Sequence, residues 1–154
     1  MSFTKVLMQD NFLNKNECQE LINFYTFNSK SHKGYAGTYT LPLRQSSHKK
    51  LVKKINKLSL MLNNSVIDWF QIVKWGAYHP GKHLHFDTTV SKTVLSSIIY
   101  LNNDFEGGHT FFEDGTAFAP ATGRIIFFDG KYYHHGVSEI KKKDRYTVAS
   151  WFKL

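Results

Sequence analysis

The sequence predicts a mainly β chain of the α+β kind, with two N-terminal helices packed on one face of a β-sandwich or jelly roll. Three observations predict it. Apolar residues at helical spacing are confined to the stretch before Asn64. Beyond it come short segments rich in aromatic and β-branched residues. Those segments are separated by turn signals at Pro80-Gly81, Gly107-Gly108, Asp114-Gly115, Gly123 and Asp129-Gly130.

The first helix is read from Asn14 or Asn16 as its cap, with Glu17 in its first turn and Cys18, Leu21, Ile22 and Tyr25 on one apolar stripe. Gly34 and Gly37 mark a loop, and Ser31–Ser46 is a candidate for closing over a site. A second helix is expected to start near Ser46 or Ser47. Leu51, Ile55, Leu58 and Leu62 form its inner side, and Lys49, Lys50, Lys53, Lys54 and Lys57 its outer side. The strands are read as Val66–Trp75, Lys82–Phe86, Thr93–Leu101, His109–Glu113, Thr116–Ala119, Arg124–Phe128, Tyr132–Val137 and Tyr146–Phe152. No repeat or linker breaks the chain, so residues 1–154 are expected to be one domain, with helical support over about 1–64 and a β core over about 65–154.

Composition narrows the class. No apolar run approaches the roughly 20 residues that a membrane helix needs, so no membrane partner is expected. The opening MSFTKVLMQDNF lacks the basic and apolar regions of a secretory signal. Cys18 is the only cysteine, which fits a reducing, cytoplasmic compartment. The net charge of +8 favours acidic partners, nucleic acid among them, but a solvated lysine-rich surface is the preferred account, since the runs Lys49-Lys50, Lys53-Lys54 and Lys141-Lys142-Lys143 read as exposed faces rather than one binding stripe. Oligomeric state is not legible.

The chemistry starts at Lys82-His83-Leu84-His85-Phe86-Asp87. In a strand, residues i and i+2 share a face, so His85 and Asp87 present an imidazole and a carboxylate to one point. Two histidines and one carboxylate on one side of a metal leave the other positions open, the arrangement of non-haem Fe(II) oxygenases. With 8 histidines in the chain, a lone His-x-Asp carries little weight and reads as well as a surface ion pair. A further ligand would come from Tyr132-Tyr133-His134-His135-Gly136-Val137, where His134 and His135 face opposite ways. Arg145 opens an otherwise apolar strand, where burial without an anionic partner would be costly.

These residues, in order, resemble a known family. His85-x-Asp87, Gly107-Gly108-His109-Thr110-Phe111-Phe112, Pro120-x-x-Gly123-Arg124-Ile125-Ile126-Phe127-Phe128, His135-x-Val137-x-x-Ile140 and Arg145 follow the pattern of the prolyl 4-hydroxylase-like group. That group belongs to the 2-oxoglutarate/Fe(II)-dependent dioxygenase superfamily. Asn11-Phe12-Leu13 and Glu17-Cys18-Gln19-Glu20-Leu21-Ile22 are similar to its first helix, so the resemblance spans nearly the whole chain.

The resemblance implies a double-stranded β-helix (jelly roll) with two helices packed on the major sheet. It implies Fe(II) held by His85, Asp87 and His135, the last preferred to His134 by its spacing to Val137, Ile140 and Arg145. It implies 2-oxoglutarate and O2 as co-substrates, ascorbate as an auxiliary reductant, and Arg145 on the distal carboxylate with Tyr100 beside it. The implied reaction is hydroxylation of a prolyl residue in a peptide or protein, releasing succinate and CO2. A nucleic-acid or small-molecule oxygenase is the alternative, and a non-catalytic metal-binding jelly roll is the reading from another class.

Departures from the pattern are also visible. Trp75 stands where a tyrosine is common, with Tyr78 offset nearby in the Tyr78–Leu84 loop, and either is a candidate for touching the co-substrate. His83 forms His-x-His with His85 without the glutamate that such metal sites use, and His109 replaces a common acidic residue. Phe86, Phe111, Phe127 and Phe128 are candidates for keeping a site dry.

Overall fold

A capping box opens the first helix of the computed structural model, which describes residues 6–87 and 92–154. Asn14 Oδ1 accepts from the Glu17 backbone N–H at 2.8 Å, and Glu17 Oε1 accepts from the Asn14 N–H at 3.0 Å. The helix, α1, spans Lys15–Phe27 and buries Cys18, Leu21 and Tyr25. The second helix, α2 (Lys49–Asn63), starts later than Ser46 or Ser47, because Gln45–Ser47 form a 3-10 turn that uses up both candidate caps. His48 takes the cap position without a side-chain bond. Asn64, left-handed at φ 59°, stops the helix.

The strands, in chain order, are β1 (Leu7–Gln9), β2 (Lys33–Tyr35), β3 (Thr38–Pro42), β4 (Val66–Trp75), β5 (Lys82–His85) and β6 (Leu95–Tyr100). They continue as β7 (Glu106–Gly107), β8 (Thr110–Phe112), β9 (Ala117–Phe118), β10 (Ile125–Phe128), β11 (His135–Val137), β12 (Ile140–Lys141) and β13 (Arg145–Lys153). A seven-stranded major sheet runs β1-β10-β6-β13-β4-β3-β2, and a four-stranded minor sheet runs β5-β11-β8-β9. Together they make the double-stranded β-helix, with β12 and β7 as a short ladder at its side.

Alternation along the major sheet sorts its two faces. Phe70, Ile72, Ile99, Ile125, Val148 and Phe152 point outward into the main core, against Ile55 of α2 and Cys18 and Leu21 of α1. Their neighbours Val73, Ile98, Thr147 and Ala149 point inward and line a cavity. The sheet thus separates a helical support on one side from a hollow on the other.

Two sequence expectations need correction. The Ser31–Ser46 segment is not a loop, because its β2–β3 hairpin pairs with β4 and extends the major sheet. Nor is the stretch over 1–64 purely helical, since β1, β2 and β3 within it are sheet strands. The hairpin turns at Ala36 and Gly37, both left-handed, and reads as punctuation because its strands are short and β2 is exposed throughout.

Candidate functional site

His85 ends β5 and His135 begins β11, and the antiparallel register places them directly opposite one another. Their ring centroids lie 4.3 Å apart. Asp87 follows just past the end of β5, where its backbone N–H donates to the Gly130 carbonyl at 2.6 Å. Its Oδ1 is 3.3 Å from His135 Nε2, and its Oδ2 accepts from the Ser96 hydroxyl at 2.7 Å. One ligand atom from each of the three residues lies within 4.8 Å of the others.

The imidazoles are held in one tautomer. His85 Nδ1 lies 2.8 Å from the His83 carbonyl oxygen, and His135 Nδ1 lies 3.0 Å from that of Tyr133. A carbonyl only accepts, so each Nδ1 carries the proton and each Nε2 keeps its lone pair for a metal. Burial pushes the His85 pKa down to about 4, so the ring is neutral at ordinary pH. Burial works to raise the Asp87 pKa, but its close contact with His135 and the hydrogen bond from the Ser96 hydroxyl outweigh it and hold the pKa below the ordinary carboxylate value. A neutral His85 imidazole, the His135 Nε2 and a carboxylate suit Fe(II).

Gly130 makes room for this arrangement. A Cβ at that position would stand 2.1 Å from Asp87 Oδ2 and 2.7 Å from Ser96 Oγ. Gly130→Ala must push the carboxylate aside, so Fe(II) affinity is expected to fall on the order of 10–100-fold, as when a supporting contact is lost. Anaerobic titration calorimetry checks this, and unchanged affinity would show that the carboxylate tolerates displacement.

Behind the three residues a cavity of about 130 Å³ runs between the sheets, and its lining includes Val73, Trp75, Thr110, Phe128, Arg145 and Trp151. Arg145 is 2% exposed. Its Nε donates to the Gly108 carbonyl at 2.9 Å and its Nη2 to Thr110 Oγ1 at 3.4 Å. Its guanidinium carbon lies 5.4 Å from the Trp75 ring centroid and 5.3 Å from that of Tyr100. Among the described residues no carboxylate pairs with it. Burial depresses its pKa, and Tyr100 opposes that shift. A guanidinium taken out of water without an anion is costly, so the cavity is short of one negative charge.

The structure brings His85, Asp87, His135 and Arg145 to one cavity. His134 is turned away, its Nδ1 3.2 Å from Glu113 Oε2 and its ring stacked on Phe86. Tyr100 lies one layer behind Arg145 and is not among the lining residues, its hydroxyl 2.5 Å from Thr110 Oγ1. Trp75 faces the cavity, whereas Tyr78 is 70% exposed. His83 contributes its carbonyl rather than its ring. His109 donates its backbone N–H to Ser138 Oγ. Of the four phenylalanines only Phe128 lines the cavity, 4.6 Å from the His135 ring. Phe127 belongs to the helical core and Phe86 is exposed, while the Phe111 ring would meet a Cβ at Gly136.

Sequence reasoning missed Ser96, Thr110, Gly108 and Gly130. Ser96 shares a strand face with Ile98 on β6, and Thr110 with Phe112 on β8, and a polar residue two positions from an apolar one was the available signal.

Comparison with known proteins follows the same line. The model of the 2OG-Fe(II) oxygenase superfamily matches residues 70–153. Prolyl 3-hydroxylase 1 of Gallus gallus is 39% identical over 66 residues, covering 38% of this chain and 9% of that protein. The chain therefore matches only a small part of that relative's length. Among solved structures, a viral collagen prolyl hydroxylase from Paramecium Bursaria Chlorella virus-1, in its 2OG complex, superposes with a TM-score of 0.75 at 20% identity over 96% of this chain and 94% of that one. A Trichoplax adhaerens prolyl hydroxylase, in complex with a hypoxia inducible factor peptide fragment, gives a TM-score of 0.79 at 16% identity over 96% and 83%. At such identities the superpositions show a shared fold.

Proposed function

The chain belongs to the 2OG-Fe(II) oxygenase superfamily, and from that premise we propose that it is an Fe(II)- and 2-oxoglutarate-dependent dioxygenase hydroxylating a prolyl residue in a peptide or protein. The observation that carries this reading is the shared cavity, in which a two-histidine, one-carboxylate cluster and a buried guanidinium lacking an anion face the same hollow. When bound, Fe(II) with 2-oxoglutarate and O2 supplies the oxidising chemistry, releasing succinate and CO2 and adding one oxygen atom to a substrate C–H bond.

The residues of the chain divide the remaining work. His85, Asp87 and His135 hold the metal, their orientation set by the carbonyls of His83 and Tyr133 and by Ser96. Arg145 supplies a fixed cation for the far carboxylate of the diacid, a charge-assisted pairing strengthened by the dry surroundings. Thr110 lines the cavity beside Arg145, its hydroxyl held by Tyr100, so Tyr100 acts through Thr110 rather than by touch. Val73, Ile98, Ala149 and Phe128 exclude water. Ascorbate fits as an external reductant keeping iron ferrous. Prolyl selectivity draws its support from the prolyl hydroxylases among the relatives and neighbours. Residues 1–154 act as one catalytic unit in this reading, and the lone Cys18 supports a cytoplasmic setting.

The test is anaerobic loading with Fe(II), then addition of O2, 2-oxoglutarate and a panel of proline-containing peptides. The expected result is succinate release stimulated by at least one peptide, with a product heavier by about 16 Da on proline, the mark of one added oxygen. Succinate stimulated only by methylated nucleic acid or a free amino acid would replace the prolyl assignment. Absence of Fe(II)-dependent succinate under every condition would overturn the enzyme reading.

A further inference from the structure

The charge of the chain is not spread evenly. From Leu21 to Ile67 there are eight Lys or Arg residues and no Asp or Glu, so this stretch accounts for the whole net charge of +8 while the rest of the chain is balanced. Outside that stretch cations are largely neutralised within the fold: Lys74 on Asp144, Lys92 and Lys153 on Asp68, Arg124 on Asp10, Lys141 on Glu139, Lys142 on Glu106 and Lys143 on Asp104. Inside it, among the described residues, no ion pair forms at all.

Most of this unneutralised charge stands on one face of α2. Lys49, Lys50, Lys53 and Lys57 are exposed, while Ile55 and Ser59 on the other side are buried. Lys54 is more committed, its amine bonded to the Phe12 carbonyl and set over the Phe12 ring. Glu17 and Glu20 of α1 line the groove beside Lys49 and Lys50, but neither pairs with them, and Glu17 is engaged in its own capping box. Lys49, Lys53 and Lys57 recur every four residues, a row rising about 6 Å per step and spanning about 12 Å. Lysines so placed repel one another, and among the described residues none of them is neutralised by an ion pair.

We propose that this lysine face of α2 is a docking surface for the phosphate backbone of duplex DNA, separate from the catalytic cavity. Over the roughly 12 Å of the lysine row, each strand of B-form DNA offers about three to four phosphates, a stiff line of charge meeting a row of cations on one helix face. Lysine acts as a point charge on phosphate and reads no base, so the binding is independent of sequence. The helix α2 itself carries no aromatic residue, and Phe24 and His48, which line the groove beside Lys49 and Lys50, are engaged edge to face with each other, which disfavours stacking of an unpaired base. A membrane would need an apolar strip under the charges, yet the exposed Leu60 and Met61 occupy only the last turn of α2, and the exposed Phe27 ends α1. The major sheet lies between α2 and the cavity, so the bound DNA is a scaffold rather than the oxidised substrate.

Fluorescence anisotropy of the full chain tests this, with a labelled 24-base-pair DNA duplex in a salt series, and single-stranded DNA, phosphatidylserine vesicles and polyglutamate as competitors. Four phosphate contacts predict a log K against log salt slope of about −3 to −4, with duplex the strongest competitor. The double variant Lys53→Gln/Lys57→Gln should lose about 2 from that slope, whereas Lys141→Gln/Lys142→Gln/Lys143→Gln should leave it unchanged. Succinate formation by the double variant should match the wild type, which separates failure of docking from failure of catalysis. No binding to duplex at low salt, an unchanged slope in the double variant, or stronger competition by vesicles, single strand or polyglutamate would each overturn the assignment.

Discussion

Asp87→Ala should abolish 2-oxoglutarate turnover and weaken Fe(II) binding by at least about 100-fold. The magnitude is set by analogy with structural zinc sites, where roughly 10–16 kcal/mol shared among four protein ligands gives about 3 kcal/mol each, or two powers of ten. Asp87 also supplies the one negative charge among the three ligands, and its loss leaves only imidazole nitrogens facing a dication. His135→Ala should behave alike. His134→Ala should leave Fe(II) affinity unchanged, because His134 pairs with Glu113 and stacks on Phe86 away from the cluster. Anaerobic calorimetry measures affinity and succinate release measures turnover. If Asp87→Ala binds Fe(II) as the wild type does, the metal is held elsewhere.

Arg145→Leu should raise the KM for 2-oxoglutarate on the order of 100-fold while leaving Fe(II) affinity in place. Removing one member of a buried charge pair costs about 3–5 kcal/mol, and the lower end of that range corresponds to two powers of ten. Leucine also leaves the Gly108 carbonyl and the Thr110 hydroxyl without the guanidinium. A second readout is the rise in Tm with saturating 2-oxoglutarate, which should be present in wild type and absent in the variant. A KM equal to the wild-type value would show that the far carboxylate is met by another group.

Much of this was legible because it obeys simple periods. His85 and Asp87 share a face two residues apart, and the helix stripes of Cys18, Leu21 and Tyr25 and of Leu51, Ile55, Leu58 and Leu62 repeat at helical spacing. Val66–Trp75 reads as a strand from end to end, since it lies in the middle of the major sheet and carries the aromatic and β-branched residues such a position favours. The β2–β3 hairpin escaped because an edge needs little burial, so Lys33, Gly34 and Tyr35 carry no apolar pattern. Strands as short as β7 and β12 are made by tertiary pairing and leave no local signature. Tyr100 was placed on the right strand, but one sequence cannot reveal that its hydroxyl stops at Thr110. Gly130 was read as a turn signal, whereas its constraint is the 2.1 Å that a Cβ would leave to Asp87.

The direct pairing of His85 with His135 has a bearing on how the molecule matures. Side chains in a strand reverse direction at each residue, so sliding β11 along β5 by one position would turn one imidazole outward and leave the cluster without it. The ion therefore recognises only the correctly aligned ladder, and each binding event withdraws that alignment from the pool of slipped alternatives by mass action. Iron bound to these residues would thus favour the aligned ladder over slipped ones.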